Sequence, residues 1–175
     1  MIVKRFVSFI LILACFVTIF VSCGNSDIPA GTQIIENDYL DVRFFVPKTW
    51  TVDISTGFSA ASDMYGRTIS MTKVSPEGSF SSIDDYYKNY YVKTLKETFR
   101  DVELVESYTE NLTMGGVPAC KYVLKIAIGD KNYTSMQIMA GHGYYLYILT
   151  YMAENSLYES ELDTIDELIE YISFQ

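Results

Sequence analysis

Between Tyr39 and Val46 apolar and polar positions alternate: Leu40, Val42, Phe44 and Val46 fall on one side, Tyr39, Asp41, Arg43 and Phe45 on the other. A period of two predicts a strand with one clearly apolar face. Pro47 ends it, because proline has no N–H to give to a ladder. Trp50–Ile54 and Thr68–Val74 read as further extended pieces, the latter closed by Ser75-Pro76-Glu77-Gly78. The period then changes. Ile83, Tyr87, Tyr91, Leu95 and Phe99 recur at helical spacing, with Ser81 or Ser82 as a cap and Asp84 and Asp85 in the first turn to offset the dipole. This predicts a helix running to about Phe99.

The following half is mostly extended: Val102–Leu112, Val117–Ile128, Asn132–Ala140 and Tyr144–Met152, separated by Gly115-Gly116, Gly129-Asp130-Lys131 and Gly141-His142-Gly143. Short glycine-containing connections between strands make hairpins, so the sheet is expected to be antiparallel. A last helix, capped at Asn155 or Ser156, carries Leu162, Ile165, Leu168, Ile169 and Ile172 on its buried side. One strand decides the architecture. In Tyr144–Met152 both alternating sets are apolar or aromatic, Leu146, Ile148 and Met152 against Tyr145, Tyr147, Leu149 and Tyr151. Such a strand needs cover on both faces, and the two helices can supply it. The predicted fold class is α/β (α+β), an antiparallel β-sheet sandwiched between helices.

Ahead of these elements the pattern is of another kind. Met1–Arg5 is basic, Phe6 to Val21 is apolar apart from Ser8 and Thr18, and Val21-Ser22-Cys23-Gly24 leads into polar Asn25-Ser26-Asp27. The apolar run is about 16 residues, short of the roughly 20 that span a bilayer. A positive start, a greasy stretch and a small residue before the break describe an export signal. Phe20-Val21-Ser22-Cys23 resembles the lipobox of bacterial lipoproteins, whose cysteine thiol takes a diacylglycerol before cleavage; an uncleaved anchor is the competing reading. The chain then divides into a signal peptide at 1–22, a lipidated Cys23 with a flexible tether at 23–37, and a folded domain at 38–175.

Charge and cysteine count narrow the function. Of 13 basic residues two, Lys4 and Arg5, precede Cys23, which leaves 11 against 22 acidic residues after cleavage. Such a surface repels nucleic acid and anionic headgroups, so membrane contact is expected through the anchor at Cys23 alone. The chain has 3 cysteines; with Cys15 in the leader and Cys23 lipidated, only Cys120 remains, and neither an internal disulfide nor a cysteine metal cluster can form. No cofactor or metal is expected.

Candidate chemistry is sparse. His142 is the one histidine, and with glycine on both sides it reads as an exposed turn residue. Cys120 shares a strand face with Tyr122, Leu124, Ile126 and Ile128 and reads as a buried, inert thiol, while Lys121 and Lys125 point the other way. Glu159, Asp163, Asp166, Glu167 and Glu170 read as the solvated face of the last helix. The chain carries 15 tyrosines, and four of them, Tyr86, Tyr87, Tyr90 and Tyr91, are too many for one helix face to bury. Tyr87 and Tyr91 belong to the core stripe. Tyr86 and Tyr90 fall at its boundary, where they either pack against a sheet edge or offer a sugar- or partner-binding surface. They are the candidate ligand-binding residues.

The order of elements resembles the PsbP-like family, which includes a photosystem accessory subunit and many bacterial lipoproteins. The matching pieces are Phe44-Phe45-Val46-Pro47-Lys48-Thr49-Trp50, Ser82-Ile83-Asp84-Asp85-Tyr86-Tyr87, Met114-Gly115-Gly116-Val117-Pro118-Ala119 and Ile169-Glu170-Tyr171-Ile172-Ser173-Phe174. The resemblance implies a PsbP-like α/β/α sandwich over 38–175 and a non-catalytic accessory or binding role. The histidine-based metal binding of some relatives has only His142 to match, and no metal site is carried over. The expectation is a non-enzymatic, extracytoplasmic lipoprotein on the cell membrane, an accessory or binding module for an envelope complex with an envelope protein as partner. The alternative is a small-ligand or glycan-binding lipoprotein that uses a tyrosine-rich surface or pocket.

Overall fold

A computed structural model of the chain describes residues 28–55 and 58–175. The export signal and Cys23 lie outside the described residues. Strands β1 (Thr32–Asn37), β2 (Val42–Pro47) and β11 (Ser173–Phe174) form a small sheet in the order β1-β2-β11. The large sheet takes β3 (Thr51–Ser55), β4 (Phe58–Ser62), β5 (Thr68–Val74), β6 (Arg100–Tyr108), β8 (Val117–Ile128), β9 (Lys131–His142) and β10 (Tyr145–Glu154) in the order β3-β4-β5-β10-β9-β8-β6. A two-residue strand β7 (Thr113–Met114) pairs with the start of β8 across the Gly115-Gly116 turn. All the pairings are antiparallel, as the glycine-bearing hairpins predict.

Two elements differ from expectation. Thr32–Asn37, expected as tether, is β1, paired with β2 from Thr32↔Pro47 to Asn37↔Val42. Its hold on the domain is polar. The Asn37 side-chain amide lies between the sheets and donates to the Ser55 carbonyl at 2.8 Å and the Ser59 hydroxyl at 3.0 Å. The last helix is also shorter than predicted. Tyr158–Ser160 makes a 3-10 turn and a helix α2 spans only Leu162–Ile169, because the Asn155 side chain accepts from the Thr134 hydroxyl at 2.9 Å instead of capping a helix.

The other helix, α1, runs from Ile83 to Thr98 in three parts: α at Ile83–Tyr86, π at Tyr87–Tyr91 and α at Val92–Thr98. Ser82 caps it by accepting from the Asp85 N–H at 3.1 Å, and the Asp85 carboxylate accepts from the Ser81 N–H at 2.9 Å. The π segment has a cause in the stripe. Steps of four residues drift about 40° each around a 3.6-residue turn, and a wider i→i+5 turn takes up that drift. Tyr87 and Tyr91 therefore both reach the sheet, their rings 5.5 Å apart.

Two clusters fill the two faces of the large sheet. Tyr87 of α1 packs into a cluster with Tyr122, Leu124, Met139, Leu146 and Ile148 of the sheet. The Tyr87 and Tyr122 rings stack 3.4 Å apart, and the Tyr87 hydroxyl donates to Gln137 Oε1 at 2.6 Å. The opposite face buries Ile69, Met71, Met136, Ile138, Tyr147, Leu149 and Tyr151 against Phe44, Val46 and Trp50 of the small-sheet side and against Ile165, Ile169 and Ile172. β10 serves both clusters, which is why both of its side-chain sets are apolar. The expectation of helices on both faces is met in full on one face only; on the other, the small sheet does most of the covering, with α2 beside it.

Candidate binding groove

Cover on the second face stops partway across the sheet. The cluster there takes residues of β5, β10 and β9, but from β8 only Val117 and Ala119, and none from β6. Farther along the same face of β8 come Lys121, Val123 and Lys125, beside Tyr108, Glu106 and Glu103 of β6 in the register. The register shifts between Leu104 and Glu106, a bulge that leaves Val105 without a partner and 38% exposed over this strip. The floor of a groove results, made of Val105, Val123 and the two lysine stems.

One wall is the 3-10 turn and α2, through Tyr158, Glu159, Leu162 and Asp166; the other is the loop ending in Glu110, Asn111 and Leu112. Lys121 Nζ donates to Asp166 Oδ1 at 3.0 Å, a strut from floor to wall. It separates one lobe of about 620 Å³, containing Val105, Glu106 and Tyr158, from a second of about 540 Å³ that ends at Gly115, Gly116 and Glu170.

The larger lobe is acidic in character. Glu106, Glu110 and Glu159 line it and form no ion pair among the described residues. Lys121 is held by Asp166, so Lys125 alone opposes them. Tyr158 senses this field. Burial pushes its hydroxyl well above the usual tyrosine range, and Glu159, Asp166 and Glu106 push the same way. Its residue exposure is 5%. The ring stacks on Tyr151 at 5.4 Å, and the hydroxyl has no hydrogen-bond partner among the described residues.

The predicted site residues lie elsewhere. Tyr86 is half-buried between Phe80 at 5.1 Å and Tyr90 at 5.8 Å, and the Tyr90 hydroxyl donates to the Ser79 carbonyl at 3.4 Å. Both rings pack on the loop ahead of α1, on the face of the sheet away from the groove. Cys120 is half-buried under α1, and burial pushes its thiol pKa up. His142 differs from the turn residue expected. It closes β9 opposite Tyr145, leaving Gly143-Tyr144 as the turn, and its ring stacks on Phe174 at 4.5 Å. Among the described residues no cluster of three or more His, Cys, Asp or Glu is placed to hold a metal ion, and no helix is long and apolar enough to cross a membrane.

With this geometry in view, three solved structures share the architecture. The cyanobacterial PsbP protein (CyanoP) of Synechocystis sp. PCC 6803 matches 89% of this chain and 99% of its own at a TM-score of 0.61 and 14% identity. The Ran-binding protein Mog1p of Saccharomyces cerevisiae matches 82% and 95% at 0.59 and 6% identity. A protein of unknown function from Pseudomonas aeruginosa matches 78% and 92% at 0.53 and 11% identity. The fold is PsbP- and Mog1-like. Identities this low carry the fold and nothing finer. No protein-family model and no curated protein matches the sequence.

The groove residues escaped the sequence reading for a physical reason. Tyr158 sits in a segment whose composition resembles the helix that follows, so it reads as one more helix residue. A signal did exist at Val105. Leu104-Val105 puts two apolar residues side by side in an otherwise alternating strand, the mark of a bulge.

Proposed function

We propose that the protein is a non-catalytic binding module, exported and held by lipid at Cys23 on the extracytoplasmic face of the cell membrane, and that it assists an envelope complex by gripping a protein partner in the groove. The address rests on the leader and on the Val21-Ser22-Cys23-Gly24 junction. The binding role rests on one observation: a strip of sheet with Val105 exposed at the bulge, and the nearly buried Val123 beside it, forms the floor of a groove walled on two sides. A second reading keeps the groove and changes the guest. A lobe of about 620 Å³ has the size of a small-molecule pocket, so the ligand-binding alternative moves from Tyr86 and Tyr90 to Tyr158 and its neighbours.

A photo-crosslinking amino acid placed at position 105 in intact cells tests the reading, with position 93, on the exposed side of α1, as control. The expected result is a discrete adduct at position 105 that is lost in Cys23→Ala and absent at position 93. Equal adducts at both positions, or an adduct indifferent to Cys23, would refute it.

A further inference from the structure

The walls of the groove specify more than an occupant of suitable size. Its length along the 3-10 turn and α2, from Glu159 to Glu170, is roughly 16 Å at about 1.5 Å per helical residue. An extended chain rises about 3.3 Å per residue, so about five residues fit. The floor offers apolar contact at Val105 and Val123, and Leu162 adds to it from the wall. Above the floor stand Glu106, Glu110 and Glu159, none of them in an ion pair among the described residues, with Glu106 accepting from the Tyr108 hydroxyl at 2.8 Å; Tyr158, whose hydroxyl has no partner among the described residues, lines the same lobe.

Resting on the groove as the binding site, we propose that its occupant is an extended segment of a partner protein in which basic and apolar residues alternate. The basic groups face Glu106 and Glu159, and the apolar side chains rest on Val105, Val123 and Leu162. The chemistry follows from each surface in turn. Long basic side chains lay their methylene stems on apolar surface while the charged head stays in water. Carboxylates at the rim of such a surface attract those heads and turn away acidic segments, so charge here selects the partner more than it tightens the complex. The Tyr158 hydroxyl, whose ring Tyr151 fixes, is available to accept from or donate to the segment's backbone.

The full-length protein in detergent micelles is titrated with acetyl-Lys-Val-Arg-Val-Lys-amide and followed by amide chemical shifts. An acidic counterpart, acetyl-Glu-Val-Asp-Val-Glu-amide, and spermidine serve as comparators. Shifts at Val105, Lys121, Val123 and Glu159 are expected with the basic peptide and not with the acidic one, fading as salt is raised. The surface variant Glu106→Gln with Glu159→Gln weakens binding about fivefold, the joint effect of two exposed ion pairs. Tyr158→Phe, which keeps the ring, weakens it further. Equal binding of the acidic peptide, shifts confined to the α1 face, or spermidine binding as well as the peptide each overturns the proposal. The position-105 adduct separates two failures. If the adduct persists while the basic peptide fails, only the class of occupant is wrong; if both fail, the groove reading falls too.

Discussion

Adjacent glycines in the β7–β8 turn allow a backbone effect to be separated from a packing effect. Gly115 and Gly116 have φ of +59° and +78°, where any L side chain is strained by about 1–2 kcal/mol. Their surroundings differ. A Cβ on Gly116 meets nothing within 4 Å, whereas one on Gly115 would lie 2.6 Å from Cδ2 and Cε2 of Phe174. Phe174 is in turn packed against His142 at 4.5 Å and Tyr147 at 4.8 Å. Gly116→Ala therefore reports the backbone strain alone. Gly115→Ala adds an overpacking cost of about 1–3 kcal/mol, or drives Phe174 out of contacts worth about 0.5–1.5 kcal/mol per aromatic pair.

Thermal unfolding reads the difference. At about 2–4 °C per kcal/mol for a domain of this size, Gly116→Ala is expected to lower Tm by about 2–8 °C and Gly115→Ala by about twice as much. In a Phe174→Ala background the two alanine variants become equal, a coupling of about 1 kcal/mol or more between positions 115 and 174. Equal Tm losses for the two variants in the wild-type background would show that Phe174 does not press on the turn.

Three further outcomes are accessible to the same measurements. Burial alone would raise the Asp63 carboxyl, but hydrogen bonds from the Arg67 side chain and from the Arg67 and Tyr65 N–H groups outweigh it and hold the pKa below its usual 3.8. A depressed folded-state pKa stabilises fully above the unfolded value and is lost as pH falls through the folded one. Tm of the wild type and Asp63→Asn should then differ above about pH 5 by an amount set by about 1–3 kcal/mol, and the gap should close on acidification below about pH 4. Ser135 Oγ is buried and has no partner among the described residues, so Ser135→Ala should leave the urea midpoint unchanged or raise it, by up to about 1 kcal/mol in stability; a clear loss would mean the hydroxyl is satisfied. Tyr87→Phe deprives the buried Gln137 of its 2.6 Å donor and should cost about 1–3 kcal/mol in denaturant unfolding.

How much of this was legible in the sequence depends on what holds each element. β2, β8, β10 and α1 are held by apolar stripes, and their periods announced them. β1 is different: Ile34 and Ile35 are adjacent and only Ile35 is buried, so no alternation shows, and Asn37 anchors the strand through polar bonds to β3 and β4. β4, between the predicted strands, went unread because its inward residues are Ser59 and Ala61, small enough to lie close under Asn37 and too small to look like core. The acidic set on the last helix was correctly read as facing outward. That Glu159, Asp166 and Glu170 overlook a groove was beyond reach, since a wall exists only once the strip beside it is known to be bare.

That bareness has its own trace in β8. On the face turned to α1, Cys120, Tyr122, Leu124 and Ile126 stay apolar along the strand. On the other face Val117 and Ala119 give way to Lys121, Val123 and Lys125. A lysine ammonium is almost never fully buried without a partner, because removing it from water costs far more than its stem gains. Two lysines on one face, two strand pairs apart, forbid the small sheet and α2 from closing over this end. The Lys121–Asp166 bridge marks the last point at which α2 can hold the floor with a charge still half in water. The groove is thus a consequence of where charge enters a core-facing row: the lysines that keep the strip open leave Val105 exposed on the neighbouring strand, with Val123 nearly buried beside it, as the apolar floor on which a partner can settle.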